Sequence, residues 1–225
     1  MSGPSRRAVS AALPVFPWDT LADVAELARA HPGGIVDLSV GTPVDEVAPV
    51  IRAALAAASA APGYPTTAGT PVLRASMIAA LARRYGITGL SESAVLPVIG
   101  TKELIAWLPS LLGLGPDDPV MVPELAYPTY EVGARLAGSP VLRADAPDAS
   151  EVPAALIYLN SPSNPTGRVL AADQLRAVLG WARRHGALVV SDECYLGLGW
   201  AAQPVSVLHP SVCDGDHTGL LAVHS

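Results

Sequence analysis

The second half of the chain alternates two kinds of hydrophobic pattern. Short, continuous apolar runs at 95–99, 120–122, 155–159, 188–190 and 220–223 are separated by stretches with helical spacing at 101–112, 129–136 and 171–185. A continuous apolar run suits a strand buried on both faces, and strands that alternate with helices imply parallel crossovers. The first half is more helical. Leu21, Val24, Ala25, Leu27 and Ala28 recur at helical spacing within 18–30, and His31-Pro32-Gly33-Gly34 stops that helix. A strand is expected at 35–40, ending in Gly41-Thr42-Pro43, and alanine-rich helices at 45–60 and 71–85. The pattern predicts an α/β fold with a doubly wound, mostly parallel sheet. Ligands bind such sheets beyond the carboxyl ends of the strands. There the chain places four loops, at 100–101, 123–130, 160–167 and 192–195.

Composition narrows the class. Half of the 225 residues are hydrophobic and 15% are charged, which excludes a disordered chain. A net charge of -6 argues against a nucleic-acid partner. No apolar run approaches the roughly 20 residues of a membrane span. The N-terminal stretch Met1 to Phe16 lacks a sustained apolar region and reads poorly as a signal peptide, and Cys194 and Cys213 form no disulfide framework. A soluble cytoplasmic protein is the expectation. Of the 14 basic residues only Lys102 is a lysine.

Each loop carries a chemical reading beside a structural one. Gly100-Thr101-Lys102-Glu103 lies between a strand and a helix, where free N–H groups and the helix dipole make an anion site; a plain turn would look the same. Asn160-Ser161-Pro162-Ser163-Asn164-Pro165-Thr166-Gly167 is held away from helix by its prolines, which fixes Asn164 at the ligand edge; it is also simply rich in turn formers. Asp192 follows an apolar strand, where a carboxylate needs a cation or a donor, such as the protonated ring nitrogen of a ligand; a helix N-cap is the alternative. Tyr127 could stack on a flat ring or pack at a helix start. His209, Cys213, Asp214, His217 and His224 match no closed zinc spacing. Trp107 and Trp181 read as core, and Cys194 as a small filler beside the site.

Taken together, Tyr64-Pro65-Thr66-Thr67-Ala68-Gly69 with Leu73-Arg74, Gly100-Thr101-Lys102, Tyr127-Pro128, Asn164-Pro165-Thr166-Gly167 and Asp192-Glu193-Cys194-Tyr195 resemble the fold-type-I, class I/II pyridoxal-phosphate aminotransferases. The resemblance implies a pyridoxal-phosphate large domain at 41–225, incomplete at its C-terminal end. Residues 1–40 would form an N-terminal arm and part of an incomplete small domain. By the same resemblance, Gly100, Thr101, Lys102 and Ser225 would hold the cofactor phosphate, and Tyr127 would stack on its ring. Asn164 and Tyr195 would hydrogen-bond the phenolic oxygen, and Asp192 would pair with the ring nitrogen. Tyr64 would reach a phosphate in the partner subunit of a homodimer, and Gly41 would lie beside the substrate carboxylate. The segments 13–20, 31–40 and 41–45 look like those of actinobacterial N-succinyldiaminopimelate aminotransferases, which exchange an amino group between glutamate and a 2-oxo acid.

The family's reaction also needs a lysine whose amine bonds the cofactor aldehyde and carries a proton. In the family it lies in a Ser-x-Ser-Lys-like segment after the strand matched here by 220–223. His224-Ser225 begins that segment, and Lys102 stands at the phosphate end of the ring instead. The expectation is therefore a truncated aminotransferase chain that cannot transaminate as given. Two alternatives stay open: an aminotransferase for another amino acid, dicarboxylic or aromatic, and a non-catalytic protein that binds pyridoxal phosphate.

Overall fold

The computed structural model describes residues 13–41, 43–147 and 152–225. The leader reading of the N-terminus, the first part of the expected arm, and Thr42 fall outside the described residues. The chain packs as two compact units, with Val15–Thr67 forming one and Ala68–Ser225 the body of the other.

The first unit holds a 3-10 turn at Pro17–Leu21, α1 (Ala22–Arg29) and α2 (Pro49–Ala58). Proline opens α2, where its missing N–H costs nothing and its fixed φ suits the first turn. None of the unit's described residues is buried. The strand expected at 35–40 is not formed: Ile35, Val36, Leu38 and Val40 are exposed and no neighbouring strand meets their backbone. β-branched residues favour extended backbone, but a strand exists only through its ladder.

The second unit contains α3 (Pro71–Tyr85), α4 (Thr101–Leu111), β1 (Val120–Val122), α5 (Thr129–Ala137), β2 (Val141–Arg143), β3 (Leu156–Asn160), α6 (Ala172–His185), β4 (Leu188–Asp192), α7 (Pro210–Cys213) and β5 (Leu220–Val223). The five strands pair in parallel in the order β2-β1-β3-β4-β5. The chain thus leaves β1 toward β2 and then crosses back to β3, so the sheet's switch point lies between β1 and β3. The run at 95–99 is extended but unpaired; Pro97 removes one ladder donor from it. β2 is an edge strand whose residues are only partly buried, which is why no continuous apolar run announces it.

Helices cover both faces of the sheet. On one side Ile105 and Leu108 of α4 and Tyr130 and Ala134 of α5 pack on Val120, Val122, Leu156, Tyr158 and Val190. On the other, Leu175, Val178 and Leu179 of α6, with Ile87 and Val212, pack on Met121, Ile157, Leu159 and Val189. Successive strand residues therefore feed alternate cores, each buried aliphatic side chain contributing roughly 2 kcal/mol. α4 and α5 approach closely at Gly133. A Cβ there would sit 2.9 Å from the Ile105 carbonyl oxygen and 3.0 Å from that of Ala106. Trp181 is buried, as its helical position predicts, whereas Trp107 is 53% exposed. Trp107 falls between the α4 positions that face the sheet, so periodicity alone misplaced it.

Candidate active site

Register assembles the site. In the parallel ladder Asn160 lies opposite Asp192, and Asp192 opposite Val223, so β3, β4 and β5 end in one row. Asn160 is buried and ties the row together: its Nδ2 donates to the Asp192 carbonyl at 3.0 Å, and its Oδ1 accepts from the Asn164 N–H at 2.6 Å. The loop that carries Asn164 is thus anchored by the last residue of β3.

Asp192 is 6% exposed and points to the α4/α5 face. The Tyr130 hydroxyl donates to its Oδ2 at 2.8 Å, and the Cys194 N–H to its Oδ1 at 3.2 Å. Burial, and then the neighbouring Asp192, push the Tyr130 phenol far above its ordinary value, so it remains a donor. Its ring stacks on Tyr158 at 4.8 Å, and the ring of Tyr127 meets it edge-on at 5.9 Å. Tyr158 donates in turn to the Ile105 carbonyl at 3.0 Å, which ties the aromatic stack to α4.

The N-terminus of α4 lies beside this carboxylate. Cys194 Sγ donates to Thr101 Oγ1 at 3.5 Å, and Ser225 lies near the same thiol. Burial raises the Cys194 thiol, keeping it a neutral contact. No side chain caps α4, and Gly100 is extended, with nothing within 4 Å of where a Cβ would project. Open space before uncapped helix N–H groups suits an anion.

The residues marked by sequence therefore separate. Thr101, Tyr127, Asn164, Asp192 and Ser225 are linked by direct contacts or through Cys194, Tyr130 and Asn160. Gly100 precedes the helix, Lys102 is exposed in its first turn, and Tyr195 is 39% exposed in the turn after Asp192. Gly41 and the fully exposed Tyr64 belong to the first unit. Sequence reasoning missed Tyr130 and Asn160. Their position at the start of a helix and the end of a strand resembles ordinary packing, and only register reveals what they touch.

Other candidates have other uses. His209 Nδ1 accepts from the Ser211 N–H and caps α7, and Cys213 is core. Among the described residues no group of three or more His, Cys, Asp or Glu could hold a metal ion. A cavity of about 170 Å³ opens at the β1/β3 switch, lined by Met121, Ile157, Leu159, Asp145 and Arg168. Its lining includes Asn160 and Tyr158 of the cluster around Asp192, but not Asp192 itself.

Comparison with known proteins decides the family: the class I and II aminotransferases match residues 33–225. The chain belongs to that family. It is 76% identical over its whole length to "Probable aminotransferase Rv1178" of Mycobacterium tuberculosis, of which it covers 54%. It is 55% identical over 95% of its length to 4-dedimethylamino-4-oxo-anhydrotetracycline transaminase OxyQ of Streptomyces rimosus, covering 59% of that protein. It is 32% identical over 80% of its length to an LL-diaminopimelate aminotransferase of Dehalococcoides mccartyi, covering 50% of it. The chain thus spans about half the length of these relatives. Its fold is also that of the N-succinyldiaminopimelate aminotransferase from Mycobacterium tuberculosis, with a TM-score of 0.78 at 24% identity, covering 98% of this chain and 60% of that one.

Proposed function

We propose that this chain supplies the pyridoxal-phosphate-binding part of an aminotransferase that exchanges an amino group between N-succinyldiaminopimelate and 2-oxoglutarate, in cytoplasmic diaminopimelate and lysine biosynthesis. The observation that carries the cofactor reading is Asp192: a buried carboxylate at the end of a parallel strand, fixed by two neutral donors beside an uncapped helix N-terminus. A cationic ring nitrogen on one side and a phosphate on the other suit that pair of features. When bound, the cofactor supplies a ring that accepts electron density from the substrate.

The chain's own residues bind and orient. Asp192 holds a proton at the ring nitrogen, and Tyr130 keeps that carboxylate aimed. Tyr127 covers one face of the ring. Asn164 and Tyr195 hydrogen-bond its phenolic oxygen. Gly100, Thr101, the Lys102 backbone and Ser225 receive the phosphate. Gly41 lies beside the substrate carboxylate, and Tyr64 reaches the phosphate of a partner subunit in a homodimer. We assign residues 1–40 to the arm and small domain, and 41–225 to the large domain. Among the described residues no helix is long and apolar enough to cross a membrane.

Two relatives support different substrates. The diaminopimelate reading draws on the N-terminal resemblance and on the name of the 32%-identical relative. A second reading, transamination of a polycyclic ketone, draws on the 55% identity to the tetracycline-precursor transaminase. Titration of the chain with pyridoxal phosphate, followed by tryptophan quenching, tests the cofactor reading: saturable binding weakened by D192N is expected, and equal binding by both overturns it. Assays of the full-length protein with each amino acceptor then decide the substrate. Activity toward a polycyclic ketone, with none toward N-succinyl-2-amino-6-oxopimelate, would overturn the first choice.

A further inference from the structure

The residue after Asp192 is also a carboxylate, and the pleat turns it to the opposite face. Glu193 is 2% exposed. Its Oε1 accepts from the Val207 N–H at 2.9 Å, and the hydroxyls of Ser206 and Ser191 reach it as well. Its Oε2 makes no hydrogen bond, and neither does the buried Nε2 of His224; the two atoms face each other at 3.5 Å. The His224 ring stacks on Tyr85 at the end of α3, and the Arg84 guanidinium lies over the ring of that tyrosine. Beside this contact the Glu193 N–H donates to the Val223 carbonyl at 2.8 Å. The ends of β4 and β5 are therefore joined twice, once through the backbone and once through side chains. The next residue of β5's exit is Ser225, which lies near Cys194, the residue that donates to Thr101.

We propose that Glu193 and His224 form a buried acid–imidazole clasp that positions Ser225 and Cys194 against Thr101 for the phosphate of the cofactor. One proton between the two groups satisfies both orphaned atoms, whichever holds it. Loss of that proton leaves a second negative charge behind Asp192. The groups that face the pair are Asp192 from β4, and Arg84 and Tyr85 from α3. Burial pushes Glu193 up to about 7 and, helped by the charge of Arg84, pushes His224 down, so the pair holds one proton near neutrality. Neither residue touches the proposed cofactor groups. They act through the strand ends, as positioning residues.

The phosphate part of this proposal rests on the cofactor reading above; the clasp itself does not. The test compares pyridoxal phosphate with pyridoxal, which lacks the phosphate, in E193Q, H224N and the double variant. Each single variant is expected to weaken pyridoxal phosphate about tenfold and pyridoxal less than about twofold, and the double variant to match the singles, because one interaction is lost only once. Equal losses for both ligands, additive losses, or no loss would overturn the positioning role. Histidine-selective NMR of the unaltered chain tests the clasp even if a variant fails to fold or no cofactor binds. His224 is expected to titrate below an ordinary imidazole. Titration like that of a solvent-exposed histidine would overturn the clasp.

Discussion

Asp192 and Glu193 are consecutive, nearly equally buried carboxylates, yet they face opposite sides of the sheet. Asp192 faces the α4/α5 layer, where a phenol and a backbone N–H meet its two oxygens. Glu193 faces the α3/α7 side, where one oxygen has a backbone donor and the other looks at an imidazole. The difference shows how a parallel strand end serves two purposes at once. One side chain is presented to a ligand while its neighbour, turned by the pleat, secures the frame that presents it.

The largest expected effect falls on the ligand-facing member. D192N should weaken pyridoxal phosphate by roughly a hundredfold to a few thousandfold, since breaking a buried charge pair costs roughly 3–5 kcal/mol; a binding titration checks this. Y130F should destabilise the fold by about 1–3 kcal/mol by leaving Oδ2 of Asp192 without its donor, as read from denaturant melts.

Glu193 should behave differently, through pH. Its acid form is favoured in the fold, so its contribution is complete below its ordinary value of 4.5 and is lost as pH rises through about 7. E193Q does not titrate. The stability difference between the native chain and E193Q should shrink by roughly 3 kcal/mol across that window. His224 has the opposite sign: burial lowers it, so its contribution is present above 6.5 and fades as pH falls. Melts at pH 4.5, 6 and 8 separate the two. The smallest effect belongs to the first unit, where L27S at a position 76% exposed should change the stability of the chain by less than about 0.5 kcal/mol. Borohydride reduction in the presence of pyridoxal phosphate should leave Lys102 unmodified, as peptide mapping would show.

Much of this was legible along the chain. The runs at 120–122, 155–159 and 188–190 are inner strands covered on both faces, and burial on both faces writes itself into sequence as uninterrupted apolarity; the run at 220–223 forms the edge strand β5, where Leu221 is exposed. Asn164 and Asp192 stand out because prolines and a carboxylate directly follow apolar strands, and Thr101 because glycine precedes its helix. The apolar runs at 35–40 and 95–99 misled because local preference cannot say whether a neighbouring strand exists. The edge strand Val141–Arg143 escaped because only part of it is buried.

By itself, then, the sequence determined the class of fold, the family and the loops that bear chemistry, since these depend on periodicity and on residue types at short spacing. Tertiary structure alone decided the partners. Tyr130 meets Asp192 across 62 positions, Asn160 across 32, and His224 meets Glu193 across two strands. Those distances close only when parallel register brings the strand ends level. No local pattern encodes that alignment.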